Sequence, residues 1–279
     1  MYTLNLDKDF SPFRSLQTIN FEAFTFSGGE PHIKISPDFD MTKPVTISHR
    51  LNTFNDLGLL CLAVDALRRM KIKDISAFIP YFPAARQDRV MIIGEPLTVK
   101  VYADIINALQ LSKVLVFDPH SEVTPALLNN CEVIQNHGFI KKAIQIIGGN
   151  PLLISPDGGA LKKIYKVSEY LGGFEVVECS KSRDVKTGKL SGFKVYADDL
   201  QGQDCLIVDD ICDGGATFTG LAQELKNKNA GKLYLAVSHG IFSKGFVSLA
   251  PYFDKIFTTD SIKNITNENV VQINLGDVL

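Results

Sequence analysis

Several patterns are missing from this 279-residue chain, and each absence removes a class of function. No two of its five cysteines, Cys61, Cys131, Cys179, Cys205 and Cys212, are spaced as CxxC. The count is odd as well, so free thiols in a reducing compartment are expected rather than a disulfide framework or a structural zinc site. There is no basic surplus or stripe, the formal net charge being −2. A nucleic-acid partner is therefore not expected, because such binding replaces the counterions of the phosphates with protein cations. The longest apolar run, LGLLCLAV before Asp65, is far too short to span a bilayer, so no membrane partner is expected. The N-terminal MYTLNLDKDF carries acids and no apolar core, unlike a secretory signal, and a cytoplasmic protein is expected. Both common nucleotide fingerprints, GxxxxGK[ST] and GxGxxG, are absent.

What is present is a globular profile, 45% hydrophobic and 22% charged, with chain enough for about two domains. Short β-rich runs alternate with helical patterns. PVTISHRL reads as a strand, and Asn55 is the expected cap of a helix carrying Leu59, Leu60, Ala63, Val64 and Leu67 at helical spacing. DISAFIPYF is the next strand, then a loop from Arg86 to Gly94, then a helix with Pro96 in its first turn. KVLVFD is a strand and TPALLNN a short helix. The pattern restarts at PLLISPD, with a helix ended by Gly172 and Gly173, strand FEVVECSKSR, hairpin arm KLSGFKVYADDL, strand DCLIVDD, helix TFTGLAQELKNKNA and strand KLYLAVSHGIF. This alternation predicts an α/β fold with parallel sheets flanked by helices. The boundary is expected near IIGGNPLL, giving domains 1–147 and 148–279, with room for the last residues to return to the first domain. KVLVFDPHSEVTPALL and CLIVDDICDGGATFTGLAQEL echo each other as strand, acid, loop, threonine and helix, as two copies of one α/β unit would.

The chemistry concentrates in Cys205 to Gly220, CLIVDDICDGGATFTG. Ligands of open α/β sheets bind beyond the carboxyl ends of the strands, where this loop is placed. Gly214 and Gly215 let the backbone turn and aim its N–H groups at one centre. The helix starting near Thr217 adds its positive end. Thr217 and Thr219 can cap that helix or donate to the same anion. This is a cradle for a monophosphate. Asp209 and Asp210 would then accept hydrogen bonds from a polyhydroxyl such as ribose, or approach a bound Mg²⁺. Elsewhere, Arg86, Gln87 and Asp88 of RQDR follow a strand and suit a polyphosphate. His120 of DPHS lies just past another strand. Asp157 of SPDGGA stands between strand and helix, where it can hold a metal-bound water or make a tight turn. Lys181 and Arg183 stand two apart at a strand end, where both can face one side.

LIVDDICDGGATFTG resembles the PRPP-binding signature of type I phosphoribosyltransferases and their relatives. Together with FSGGE, YFPAARQDR, GEPLTVK, DPHS, SPDGGA, KSR and SHGIF, in this order from residue 26 to 242, it is similar to the ribose-phosphate diphosphokinase (PRPP synthetase) family. The resemblance implies two tandem type I phosphoribosyltransferase-like domains. It implies transfer of the diphosphoryl group of ATP to the anomeric hydroxyl of ribose 5-phosphate, giving PRPP and AMP with Mg²⁺ as cofactor. It assigns Lys181 and Arg183 to the transferring group, on a lid of about residues 180–191. Arg86, Gln87 and Asp88 are assigned to ATP, and Phe26 and Glu30 reach the adenine from a neighbouring subunit, so that a homo-oligomer is implied. Asp209, Asp210, Asp213, Gly214, Gly215, Ala216 and Thr217 hold ribose 5-phosphate, and His120 and Asp157 serve the metal.

The sequence departs from that family at Gly28, where an acid or amide is usual, so a weaker ATP preference is expected. VMII after RQDR is apolar where many members are basic, and the C-terminal VVQINLGDVL stops short of the usual tail. Weak phosphate activation, weak ADP inhibition and an apolar subunit contact at VMII are expected. Two rivals share part of the pattern. A phosphoribosyltransferase that consumes PRPP needs the loop but not RQDR, DPHS and KSR. A non-catalytic regulatory relative would tolerate loss of Lys181, Arg183, His120 and Asp157, all of which are present.

Overall fold

The computed structural model describes residues 1–183 and 190–279. The chain divides into two units, Met1–Gln135 together with Leu279, and Asn136–Val278. In the first unit, β1 (Tyr2–Asn5) and β2 (Gln17–Thr18) are followed by the antiparallel hairpin β3 (Phe21–Thr25) and β4 (Pro31–Ile35). Then come β5 (Val45–Ser48), α1 (Phe54–Arg69), β6 (Ile75–Ile79), α2 (Thr98–Ala108), β7 (Lys113–Phe117), α3 (Val123–Leu127) and β8 (Cys131–Ile134). Its sheet has the order β2-β1-β5-β6-β7-β8, parallel throughout.

The second unit begins with α4 (His137–Ile147), β9 (Leu152–Ser155), α5 (Gly158–Tyr170), β10 (Val176–Arg183) and β11 (Leu190–Val195). It continues with β12 (Cys205–Cys212), α6 (Ala216–Asn227), β13 (Leu233–Gly240), β14 (Lys255–Thr259), β15 (Val270–Ile273) and a 3-10 turn at Leu275–Asp277. Here the order is β11-β10-β9-β12-β13-β14-β15, and only the β10–β11 pair is antiparallel. The α/β reading is borne out. The reason is visible in β5 and β13, buried at every position, as strands covered on both faces must be.

Local signals misplaced some boundaries. The first helix is capped by Thr53 rather than Asn55: the Thr53 hydroxyl accepts from the Asp56 N–H at 3.3 Å, and the Asp56 carboxylate accepts from the Thr53 N–H at 2.6 Å. This reciprocal box satisfies two amides that an isolated Asn55 cap would leave open. Pro96 precedes the α2 cap, Leu97, instead of entering the first turn. The division between units falls before α4, not at Gly148 and Gly149. Phe139, Ile140, Ala143 and Ile144 bury one face of α4, which packs on α5, β13 and β15, so the glycine pair only terminates this helix.

Both sheets share one strand order. Counting along the chain within each sheet, β2-β1-β5-β6-β7 and β10-β9-β12-β13-β14 both run 2-1-3-4-5, if the hairpin strand β11 is set aside. The partner of β12 in the first unit is therefore β5, leading into α1, and not β7, the strand in the sequence echo. In both sheets the direction of winding reverses between the first and third strands. In such folds the crevice at that reversal, beyond the carboxyl ends of the strands, receives the ligand. Thr53→Ala should lower the stability of the first unit by ~1 kcal/mol. Urea melts with a probe in that unit should show an earlier transition, and an unchanged midpoint would remove the capping box from its support.

Candidate functional site

The reversal in the second unit lies between β9 and β12, and most of the residues singled out in this half meet there. Strand β9 pairs with β12 only as far as Ile154 opposite Ile207. Strand β12 continues to Cys212 against β13, with Asp209 opposite Val237. Asp209 and Asp210 are thus in a strand, not past its end, and stand beyond the reach of β9. The Asp210 N–H donates to Asp209 Oδ1 at 2.9 Å. Burial first, then the charge of Asp210 and a hydrogen bond shared with it, hold the Asp209 carboxyl well above the usual carboxylate range, and Asp157 adds to this.

Asp157 follows β9 and is the N-cap of α5. Its Oδ1 accepts from the N–H groups of Gly159 at 2.8 Å and Ala160 at 3.1 Å, while Oδ2 pairs with Lys181 Nζ of β10. Burial raises its carboxyl, but Lys181 and the two amides outweigh burial and hold it below the ordinary value. The turn reading of Asp157 thus holds as a helix cap, and the same carboxylate also pairs with Lys181. Sequence spacing carried no sign of the Lys181–Asp157 pair, since only the adjacency of β9 and β10 creates it.

The loop after β12 turns through Gly215, whose φ of +80° is left-handed and suits glycine. Gly215 itself is the N-cap of α6, and its N–H is turned to the buried Cys212 sulfur. The helix amides first return to the Gly215 carbonyl at Phe218 and Thr219, at 3.0 and 3.1 Å. The amides of Ala216 and Thr217 precede that return, as a helix N-terminus requires. The Thr219 hydroxyl donates to the Ala216 carbonyl at 3.2 Å, so it braces the helix. Arg183 pairs through its backbone with Leu190. The expected lid begins and ends in strand, at Ser180–Arg183 and from Leu190 on, and its middle, 184–189, lies outside the described residues.

In the first unit, RQDR follows β6 and DPHS follows β7, a neighbouring pair of carboxyl ends. Asp88 ties them: it is paired with Arg89 at 3.2 Å and hydrogen-bonded to Ser121. Burial raises its carboxyl, but Ser121, Arg89 and the nearby His120 together hold it low. Arg86 and Gln87 are exposed. The reversal point itself, between β1 and β5, is filled by the chain's own side chains. His49 Nδ1 and the Arg50 N–H both reach Asp7 Oδ2 at 2.9 Å. The Arg50 side chain, 4% exposed, lies 4.5 Å over the Phe10 ring and donates to Asp9 at 3.2 Å. None of these was singled out from sequence.

Phe26 and Glu30 close the tip of the β3–β4 hairpin, where the Phe26 N–H donates to the Glu30 carbonyl at 2.9 Å. Phe24, Phe26 and His32 form an exposed aromatic cluster, with ring centroids of the two phenylalanines 4.9 Å apart. Val90, Met91, Ile92 and Ile93 are all exposed, on a turn where Glu95 accepts from two backbone amides. Among the described residues no three His, Cys, Asp or Glu side chains are grouped to hold a metal ion, and no helix is long and apolar enough to cross a membrane.

Comparison with known proteins gives the same two halves. Residues 6–109 match the N-terminal domain of ribose phosphate pyrophosphokinase, and residues 131–274 match the phosphoribosyl transferase domain. The ribose-phosphate pyrophosphokinase of Vibrio parahaemolyticus is 31% identical over 255 residues, covering 85% of this chain and 77% of its own. That of Mycoplasmopsis pulmonis is 31% identical over 220 residues, covering 78% and 68%. The crystal structure of phosphoribosylpyrophosphate synthetase from Mycobacterium smegmatis shares the fold, with a TM-score of 0.81 at 20% identity over 99% of this chain and 94% of that one.

The acid cluster has a consequence for stability. Asp209 titrates higher in the folded chain than in the unfolded one. Its stabilising contribution is therefore complete below the ordinary carboxylate value, ~4, and is lost as pH rises through the folded value. At neutral pH the metal-free fold carries this cost. Asp209→Asn should melt higher than the parent at pH 7.5 in chelator, ~4 °C for each kcal/mol relieved, and the gain should shrink toward pH 4. A lower melting temperature at neutral pH would show that the carboxylate is not under strain.

Proposed function

The chain belongs to the ribose-phosphate pyrophosphokinase family, and we propose that each of its units carries one part of that family's reaction. ATP gives its β,γ-diphosphoryl group to the anomeric hydroxyl of ribose 5-phosphate. The hydroxyl oxygen attacks the β-phosphorus in line, the bond from that phosphorus to the α-phosphate oxygen breaks, and PRPP and AMP result. The observation that carries this reading is the pairing of carboxylates and amide dipoles at one strand reversal, Asp209 and Asp210 beside the Gly214–Thr217 turn. A sugar phosphate offers hydroxyl donors to the first and an anion to the second.

The second unit takes the acceptor, with Asp209 and Asp210 on ribose hydroxyls and Asp213 to Thr217 on the 5-phosphate. Lys181, held by Asp157, and Arg183 stabilise the charge of the transferring group. Positioning and charge stabilisation account for most of the acceleration in transfers of this type. The first unit takes ATP through Arg86 and Gln87, with Asp88 fixing the loop. Phe26 and Glu30 meet the adenine of a neighbouring subunit, a role that the exposed aromatic cluster of the hairpin supports. The exposed VMII turn supports an apolar contact in a cytoplasmic homo-oligomer.

The donor set fits Mg²⁺. Asp209 is raised first by burial and then by neighbouring carboxyls, whose repulsion a hard cation relieves, and Mg²⁺ needs only one or two protein carboxylates beside water and substrate phosphates. We assign His120 to a metal bound at the first unit and Asp157 to a metal bound at the second, each considered within its own unit. When bound, Mg²⁺ neutralises phosphate oxygens.

Incubation with ATP, Mg²⁺ and ribose 5-phosphate, with no nucleobase, should release AMP and PRPP in equal amounts. Lys181→Ala should cut turnover by at least ~10²-fold, the scale of losing one preorganised charge contact, with the fold retained by circular dichroism. Absence of AMP from the parent protein would overturn the reading, and full activity of the variant would remove Lys181 from it. Because Gly28 offers no side chain to the base, GTP and other triphosphates should support turnover within ~10-fold of ATP, about one hydrogen bond's discrimination. A sharper ATP preference would show that Phe26 and Glu30 suffice for base selection.

A further inference from the structure

Lys244 lies beside the phosphate loop although no motif points to it. It follows β13 in a stretch that is fastened along the loop after β12. The Cys212 carbonyl accepts from the N–H groups of Ile241 at 2.9 Å and Phe242 at 3.1 Å, and the Asp213 carbonyl accepts from Ser243 at 3.1 Å. These three bonds bring the next residue across Gly214. A methyl group placed on Gly214 would meet Cδ and Cε of Lys244 at 3.6 Å each and Cγ at 3.9 Å. The aliphatic stem therefore runs along the face of the glycine, and the ammonium lies one bond beyond Cε.

Two further features separate this lysine from an ordinary surface cation. Lys263, on the same edge, donates to the Ile241 carbonyl at 2.7 Å and is committed to the backbone. Lys244 is exposed and enters no ion pair among the described residues. The stem is thus positioned while the charge is left without an internal counter-ion, in a neighbourhood that contains Asp209, Asp210 and Asp213. A phosphate entering here comes close to carboxylates, and the helix amides offer it only partial charges. A full positive charge on a positioned stem changes that balance, and the ammonium of lysine acts on phosphate as a point charge without demanding planar geometry.

We infer that Lys244 is a substrate-binding residue: its ammonium pairs with the 5-phosphate of ribose 5-phosphate seated on Asp213–Thr217, and it sets the affinity for phosphorylated over unphosphorylated pentose. The inference rests on the proposed reading of that loop. Lys244→Met keeps an apolar stem over Gly214 and removes the charge, and Lys244→Arg keeps the charge. At saturating ATP and Mg²⁺, Lys244→Met should raise the KM for ribose 5-phosphate roughly 5- to 20-fold, as loss of one charge-assisted contact does. Its kcat and its KM for ATP should stay within about twofold of the parent, and Lys244→Arg should recover most of the affinity. The KM of the methionine variant should also depend less on salt. An unchanged KM in Lys244→Met, or an equal loss in Lys244→Arg, overturns the inference, because the first removes the charge without effect and the second implicates the stem.

Calorimetric titration with ribose 5-phosphate and with ribose distinguishes this failure from failure of the reaction assignment. If the parent protein makes no AMP yet binds ribose 5-phosphate, the same loss of affinity in Lys244→Met upholds the lysine's role. Equal binding by the two proteins removes it, and a parent that binds neither sugar overturns both readings.

Discussion

Strand β9 stops at Ser155, and β12 runs on to Cys212 with no strand beside it on that edge among the described residues. The space beyond Ser155 is bounded by the start of α5, the end of β10 and the part of β12 beyond its pairing with β9. Each boundary contributes a polar group of fixed direction. Asp157 is held by the helix it caps, Lys181 by its pairing in β10, and Asp209 by its pairing with β13. Carboxylates are thereby packed closer than their charges favour, and Asp157 has a full positive partner in Lys181. Such a cluster is costly in an empty protein and useful to one that binds hydroxyls and cations, where the ligand supplies the missing donors.

The same strand order leads to a different outcome in the first unit. At the equivalent position after β5, where the second unit has a turn through Gly214 and Gly215, the first has His49 and Arg50. Arg50 is itself a cation placed over Phe10 and bonded to Asp9, so the space that would receive an anion already contains a charge and its counter-charge. His49 on Asp7 closes the other side. With its reversal point occupied, this unit offers instead the ends of β6 and β7, where Asp88 joins the RQDR and DPHS segments through Ser121. Duplication of an architecture has thus left one half with an open loop and the other with a filled one. The proposed assignment of acceptor and donor to different halves draws on that contrast.

How much of this could be read in the sequence depended on whether the determining contacts were local. The stretch from Asp209 to Thr217 was legible because strand end, glycine turn and helix start are consecutive. So was the end of α5, since Gly172 and Gly173 both take left-handed φ. The Lys181–Asp157 pair, the reach of Lys244 over Gly214 and the filling around Arg50 were not legible, because each depends on which strands become neighbours. Two errors came from the same source. Gly148 and Gly149 resemble a linker, yet the helix before them packs on the sheet after them. KVLVFDPHS resembles the β12 segment because buried parallel strands of any α/β sheet are apolar runs that end in polar loops, and only strand order identifies β5 as the true counterpart.

Gly28 shows how a departure can change meaning once geometry is known. From the sequence it reads as a lost side chain, and hence a lost hydrogen bond to the base. In the structure the Glu30 carboxylate occupies that space: a Cβ on Gly28 would stand 2.5 and 2.8 Å from its two oxygens. An aspartate or asparagine at this position would therefore have to displace Glu30, as well as bring a second polar group to the tip. The hairpin fixes its backbone through Phe26 and Glu30, while Gly29 at φ +98° makes the turn. Glycine at 28 thus leaves the acid free to fold back over the hairpin tip. A base stacked on the exposed Phe24 and Phe26 rings would find one carboxylate acceptor at its edge rather than two, which favours recognition by stacking, common to all bases, over recognition by hydrogen-bond pattern.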